Sequence, residues 1–391
     1  MQNSVRMLPI PVTILYLLLW ARYPLFEFLV GFCYHVPLLE NFSAQMPDIL
    51  IVAFIILSLP YLSKHLRMSD LLFYLIIACY YLISMNTTKD NSLALEYYST
   101  PFLLICLPYF FVGVLIEIKP LWRYMYYVSF ASVMLKGVYT FFLGGNEVLG
   151  EESMTAAYSL LPHLLLVIWY AISTRHLWDC LAVVLGILLL FAFGNRGTLI
   201  ISMIFAVFCF FQTMAKTTKR STYYVLAFFV AAAVALLYSG ISDSILSFLN
   251  STGSSTRVFD KTETDGFFSS EGRLDIFALV LPAIASNPLG LGIAGDRILG
   301  VIYSHNLIME LLISYGWLFG TAIIVAITVL FVKAFKRVPT VEHKVFLMLL
   351  LCSGVFKLML SNTYLNDTFI FFMIGFCVSI LRMPKQRIGS L

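Results

Sequence analysis

Long apolar runs separated by short polar segments fill almost the whole chain. They do not alternate between apolar and polar positions, so they predict helices and not the strands of a membrane barrel. Their lengths suit the hydrocarbon core of a bilayer, which is about 30 Å thick. We predict about twelve transmembrane helices, near residues 9–33, 48–63, 69–86, 101–117, 122–143, 154–174, 177–194, 197–214, 222–240, 306–332, 345–362 and 367–382.

The pattern breaks once, over residues 241–304, which are polar and rich in Ser, Thr and Gly. Within this segment, four apolar residues recur at three- and four-residue steps: Leu274, Phe277, Leu281 and Ile284. Ser269 or Ser270 can cap a helix there, and Asn287-Pro288 ends it. We therefore predict a short amphipathic helix that lies against the membrane surface or the other helices without spanning.

Lysine and arginine are concentrated in every second connecting segment, which places those segments and both termini in the cytoplasm. The predicted organisation is helices 1–9 in residues 1–240, an outer loop in 241–304, and helices 10–12 with a cytoplasmic tail in 305–391. The outer side then holds only six basic residues: Lys89, Arg196, Arg257, Lys261, Arg273 and Arg297.

Composition places the chain outside the class of soluble domains. Hydrophobic residues make up 60% of it, charged residues 12%, and the mean hydropathy is +0.90. The net charge of +4 reflects membrane topology, so no nucleic-acid partner is expected. All seven cysteines lie in or beside apolar spans without metal-like spacing, so we expect no disulfide framework, metal site or cofactor.

Arg196 stands out because "GNRG", residues 194–197, joins two apolar runs on the side where basic residues are disfavoured. The glycines let other groups approach the backbone, and a helix amino terminus together with a guanidinium suits a phosphate or diphosphate. The alternative is an arginine that snorkels to the interface. Arg273, in the first turn of the amphipathic helix, fits either an anion site or a solvent and lipid-headgroup contact.

His305 begins a span in "SHN", residues 304–306. The helix dipole disfavours its charged form, so the neutral imidazole could act as a general base, although an interfacial polar residue is the simpler interpretation. Glu310 could orient the imidazole or pair with a basic neighbour. The spans also contain or adjoin three residues that could line a polar cavity: Lys136, Lys357 and Asn306.

The order of these segments resembles the O-antigen polymerase and ligase superfamily. The matching pieces lie at 194–197, 272–277, 287–292, 304–310 and 314–320, and the resemblance covers residues 190–325 most closely. One departure is Asn195, because the family commonly has Ser before this arginine.

The resemblance implies an all-helical, GT-C-like glycosyltransferase of the bacterial inner membrane that needs no metal and has its active site on the periplasmic face. Arg196 and Arg273 would bind the diphosphate, and His305 would serve near the acceptor hydroxyl. The substrate would be an oligosaccharide linked to undecaprenyl diphosphate, with membrane lipid, a chain-length regulator and a flippase as candidate partners. We favour a polysaccharide polymerase. The alternatives are a ligase that transfers glycan to lipid A-core, a flippase or other transporter, and a scaffold without catalysis.

Overall fold

The computed structural model describes residues 8–22, 46–87, 90–142, 153–193, 195–214 and 273–384. These residues contain helices and no strand. The helices are α1 (Ile10–Trp20), α2 (Met46–His65), α3 (Met68–Thr87), α4 (Ser92–Leu115), α5 (Ile118–Phe142), α6 (Ser153–Thr174), α7 (Leu177–Ala192), α8 (Arg196–Met214), α9 (Arg273–Ser286), α10 (Leu307–Arg337), α11 (Val341–Leu360) and α12 (Thr368–Arg382).

The described helices indicate a multi-pass membrane protein. Six of them are long and apolar enough to cross a bilayer: α3, α4, α6, α8, α10 and α11. Shorter apolar helices are α1, α2, α7 and α12, and α5 coincides with the predicted span at 122–143. The predicted span at 222–240 and residues 23–33 of the first lie outside the described residues. The predicted sides of the membrane stay predictions.

The chain forms two compact units, each made from two stretches of sequence. The first unit comprises Met1–Tyr61 and Ile118–Ser269, and the second comprises Leu62–Glu117 and Ser270–Leu391. Arg196 and Lys136 therefore belong to the first unit, whereas Arg273, His305, Glu310 and Lys357 belong to the second.

Helix α6 forms the centre of the first unit and packs against α5, α7 and α8. Its consecutive residues Leu164, Leu165 and Leu166 are all fully buried, so the helix is enclosed on every side. A polar chain crosses this core, because the indole N–H of Trp20 donates to Ser129 Oγ at 2.9 Å and Ser129 lies 3.1 Å from Nδ1 of His163. These contacts connect α1, α5 and α6.

Helix α12 packs against α4, α10 and α11 in the second unit. Gly113 and Gly375 allow α4 and α12 to approach closely, since a Cβ on either glycine would overlap the backbone of the other helix. At the end of α12, Nη1 of Arg382 donates to Oδ2 of Asp70 in α3 at 2.9 Å. This charged contact fixes the end of α12 to the start of α3.

The predicted span at 306–332 is not one continuous helix. Gly316 has φ 73° and ψ 167°, which breaks the helical path within α10. The bend brings Gly320 against Leu311, because a Cβ at Gly320 would lie 2.8 Å from the Leu311 carbonyl oxygen. At 1.5 Å per residue, residues 317–337 cover about 31 Å and can cross a bilayer without the preceding segment.

The bend leaves backbone carbonyl groups of α10 without helical hydrogen bonds, and the loop after α9 supplies the donors for them. The N–H of Leu291 donates to the Ile313 carbonyl at 2.8 Å, and the N–H of Gly292 donates to the Ser314 carbonyl at 3.0 Å. Carbonyl groups at the end of a helix need such partners when they are buried. The "NPLGLG" segment at 287–292 is therefore the structural cap of the broken helix.

Helix α9 forms as predicted and ends at Ser286, and Phe277 and Ile284 of the predicted apolar face are half-buried. Leu274 and Leu281 are exposed, whereas Val280 is fully buried. Val280 lies on the face that meets protein, and the helix packs against α10. A sequence in which both faces carry large apolar residues does not specify which face meets protein.

Candidate functional site

His305 occupies the short loop that precedes α10, where its backbone has an unusual conformation. Its φ of 52° lies in the left-handed region, which few residues other than glycine adopt. Asn306 follows as the helix cap, and its Oδ1 accepts the N–H groups of Ile308 at 3.0 Å and Met309 at 3.3 Å. Asn306 therefore has a defined capping role, while its predicted place in a cavity stays a prediction.

The imidazole of His305 is half-buried against Tyr303, and the two ring centroids are 4.2 Å apart. Its Nδ1 is buried and makes no hydrogen bond with the described residues. Burial, followed by the charge of Arg273, lowers the pKa of His305 from 6.5 to about 4. The ring is therefore neutral at pH 7, as the sequence predicts from its place before a helix, although the causes are burial and a neighbouring cation.

Arg273 is the first residue of α9 and is half-buried. Its influence on His305 shows that the second unit brings these two predicted site residues into electrostatic range of each other. They are separated by 32 positions in the sequence. The packing of α9 on α10 accounts for their proximity, because His305 directly precedes the first turn of α10.

Glu310 lies one turn into α10 and is almost completely buried. Its carboxylate accepts the hydroxyl of Thr363 and the backbone N–H of Tyr364, the latter at 3.3 Å. It also lies 3.7 Å from Nη1 of Arg297. Glu310 thus pairs with a basic neighbour, one of its two predicted roles, and its described bonds do not include the His305 ring. Its catalytic role stays a prediction.

Arg297 is a functional candidate that the sequence pattern alone does not single out. Its side chain is 12% exposed and ion-paired with Asp296, which is fully buried. Burial alone would lower the pKa of Arg297, but the carboxylates of Asp296 and Glu310 raise it above its ordinary value. The available signal was the adjacent Asp-Arg pair in a glycine-rich return, on the side predicted to disfavour arginine.

Arg196 begins α8 in the first unit, directly after a capping asparagine. Oδ1 of Asn195 accepts the N–H of Thr198 at 3.2 Å, and the hydroxyl of Thr198 donates to the Asn195 carbonyl at 2.9 Å. Asparagine is one of the preferred residues at this position, so the departure from serine preserves the cap. Arg196 is half-buried at the positive end of the helix. Its predicted diphosphate contact remains a prediction.

The two lysines proposed for a cavity have different surroundings. Lys136 is 7% exposed, and its ammonium lies 5.4 Å from the centroid of the Phe193 ring. Lys357 donates to Oδ2 of Asp367 at 2.8 Å, and that carboxylate is fully buried. Both contacts compensate part of the cost of burying an ammonium group.

The described residues contain no group of three histidine, cysteine or acidic side chains that could hold a metal ion. No protein-family model, curated protein or solved structure matches the chain.

Proposed function

We propose that this chain is a polysaccharide polymerase of the bacterial inner membrane. It would transfer a growing glycan from undecaprenyl diphosphate to the next lipid-linked repeat unit at the periplasmic face, with both termini in the cytoplasm. The supporting observation is that Arg273, at the start of α9, lies within electrostatic range of His305, which precedes the membrane-spanning helix α10. A cation beside a neutral imidazole suits a reaction with an anionic leaving group and a hydroxyl nucleophile.

The reaction would be a single inverting displacement. The acceptor hydroxyl oxygen forms a bond to the anomeric carbon, while the bond from that carbon to the diphosphate oxygen breaks. The bonding electrons leave with the diphosphate, and the hydroxyl proton passes to His305. Arg273 would bind the diphosphate through paired N–H donors and stabilise its increasing negative charge, and the resemblance implies the same role for Arg196.

The low pKa of His305 sets a requirement on this reaction. A group with a pKa of about 4 accepts protons at pH 7 but is a weak base. A bound diphosphate would add negative charge beside the ring and raise its pKa, thereby strengthening the base when substrate is present. Substrate binding and base activation are coupled in this mechanism.

The test is polymerisation by the purified protein in lipid. Synthetic undecaprenyl-diphosphate repeat units are supplied without metal, and products are separated on a gel. We expect a regular ladder with the native protein and its loss in folded Arg196→Ala, Arg273→Ala and His305→Ala. Arg123→Ala is the matched control, because Arg123 is an exposed arginine whose Nε contacts Tyr127. It should retain the ladder.

The other functions give different outcomes. Transfer of glycan only to added lipid A-core would identify a ligase. Movement of the lipid-linked oligosaccharide across vesicles, without any new glycosidic bond, would identify a transporter. A ladder of native intensity in all three site variants would reject the assigned site, whereas no product and no transport would favour a scaffold.

A further inference from the structure

The segment that carries His305 is held on both sides by one buried ion cluster, Asp296, Arg297 and Glu310, called here the arginine cluster. Oδ2 of Asp296 accepts the backbone N–H of Ser304, the residue before His305, at 2.8 Å. Glu310 lies in the first turns of the helix that follows His305. Arg297 contacts both carboxylates. One guanidinium therefore connects the two flanks of the His305 segment.

The backbone of His305 requires such support. The left-handed region is unfavourable for a residue other than glycine, and this conformation persists only when surrounding contacts enforce it. The hydrogen bond from Ser304 to Asp296 fixes the chain immediately before His305, and the Asn306 cap fixes it immediately after. Without the first contact, the left-handed conformation would lose one of its two restraints.

Arg297 is suited to join carboxylates and poorly suited to contact a substrate. Its Nε and Nη2 atoms are buried and make no hydrogen bonds with the described residues. The Tyr98 ring covers its guanidinium, with 5.3 Å between the ring centroid and Cζ. A diphosphate could not reach these nitrogens without displacing the surrounding residues.

The charges of the cluster make Arg297 difficult to replace. Two neighbouring acidic side chains lose hydration on burial, and Nη1 of Arg297 places a positively charged hydrogen-bond donor next to both of them. Glu310 is further anchored by Thr363 and Tyr364, so Arg297 connects the Asp296 loop to a fixed point.

We propose that Arg297 is a positioning residue that holds Asp296 against Glu310 and thereby fixes the segment presenting His305. The inference rests on the proposed function only for what His305 does in the reaction. The position and environment of the imidazole can be measured without any activity.

The test compares Arg297→Gln with Asp296→Asn/Arg297→Gln. We expect the single variant to leave the Asp296 carboxylate without its ion-pair partner, release the Ser304 contact and expose the imidazole. NMR of labelled histidine should then show the His305 pKa rising from about 4 toward about 6.5. Polymerisation should show kcat reduced on the order of 100-fold, with little change in donor KM, because the base is displaced.

The double variant separates positioning from substrate contact. Asparagine at 296 carries no charge, and its side-chain oxygen can still accept the Ser304 N–H. We therefore expect it to return much of the native His305 signal and of kcat. Arg382→Gln is the matched control, since Arg382 also pairs with a buried aspartate of the same unit, Asp70. It should leave the His305 signal unchanged.

A folded Arg297→Gln protein with the native His305 pKa and chemical shifts would overturn the proposal. So would a weakened donor affinity that the double variant does not restore, because that result indicates substrate contact. If Arg297→Gln does not fold, Asp296→Ala decides the question, since it removes the acceptor of the Ser304 N–H, and a native His305 signal in a folded protein would again overturn the proposal. Absence of polymerisation by the native protein would reject the proposed function alone.

Discussion

Gly316 packs so closely on Pro288 that a Cβ at residue 316 would overlap the Pro288 carbonyl oxygen. This contact joins the bend in α10 to the loop after α9. The same loop donates two backbone hydrogen bonds to the carbonyl groups next to the bend. The arrangement places the short helix that starts at Leu307, and the His305 segment before it, ahead of the membrane-crossing part of α10.

Gly316→Ala should therefore destabilise the second unit by about 3 kcal/mol or more, because left-handed strain adds to a backbone overlap. Gly300→Ala is the control. Gly300 has a similar φ of 77° but a ψ of 10°, which is the less strained left-handed region, and a Cβ added there would meet no atom within 4 Å, so its loss of stability should be smaller on both counts. Thermal unfolding in lipid compares the two variants. Equal losses of stability would show that the contact with Pro288 contributes nothing.

The sequence predicted the helices better than their interruptions. The apolar runs and the end of α9 at Asn287-Pro288 were readable from hydropathy and helix-stop signals. The bend at Gly316 was not, because the apolar pattern continues through it without a charge or proline. Its cause is a tertiary contact from a loop that is distant in sequence.

The candidate site was predictable to a similar extent. Arg273 and His305 were selected from their positions beside predicted helix starts, and the second unit brings them together. For Glu310, the sequence left two roles open, and pairing with a basic neighbour was one of them. Arg297 was missed because an adjacent Asp-Arg pair is common on solvated surfaces, and only the fold shows that this pair is buried.

Arg273→Gln should raise the pKa of His305 above its native value of about 4, because it removes a neighbouring positive charge. Burial, the larger cause, remains, so the pKa should stay below the ordinary 6.5. NMR titration of labelled histidine measures the change, with Arg382→Gln as the control. An unchanged His305 titration would mean that Arg273 does not lie beside the imidazole.

The pH dependence of polymerisation should separate the free and substrate-bound forms of His305. Protonation inactivates a general base, so activity is lost as pH falls through its pKa. Because kcat/KM reports groups of the free protein, its acid limb should lie near pH 4. The limb of kcat should lie at higher pH, since the bound diphosphate raises the pKa. Initial rates across the pH range measure both.

In the complementary experiment, His305→Gln should show low residual activity without this acid limb. An acid limb of kcat/KM near 6.5 in the native protein would contradict the buried environment of the imidazole. Identical limbs for kcat and kcat/KM would instead show that the diphosphate does not bind beside His305.

The ion pair between Lys357 and Asp367 stabilises the protein only while both partners are present. Asp367 is fully buried and also caps α12, because its Oδ1 accepts the N–H of Ile370 at 3.0 Å. Lys357→Met would leave the carboxylate without the ammonium at 2.8 Å, and we expect a loss of about 3 kcal/mol. Lys357→Met/Asp367→Asn should recover most of it, since asparagine remains a good helix cap without a charge.

Thermal unfolding of the native protein, both single variants and the double variant completes the cycle. If the pair is structural, the effects of the two substitutions on stability should be strongly coupled, and the double variant should retain polymerisation. If Lys357 instead lines a substrate cavity, every variant that lacks it should lose polymerisation. This loss should include the double variant, although its stability has recovered. The cycle therefore decides between the ion pair seen in the structure and the cavity role predicted from the sequence.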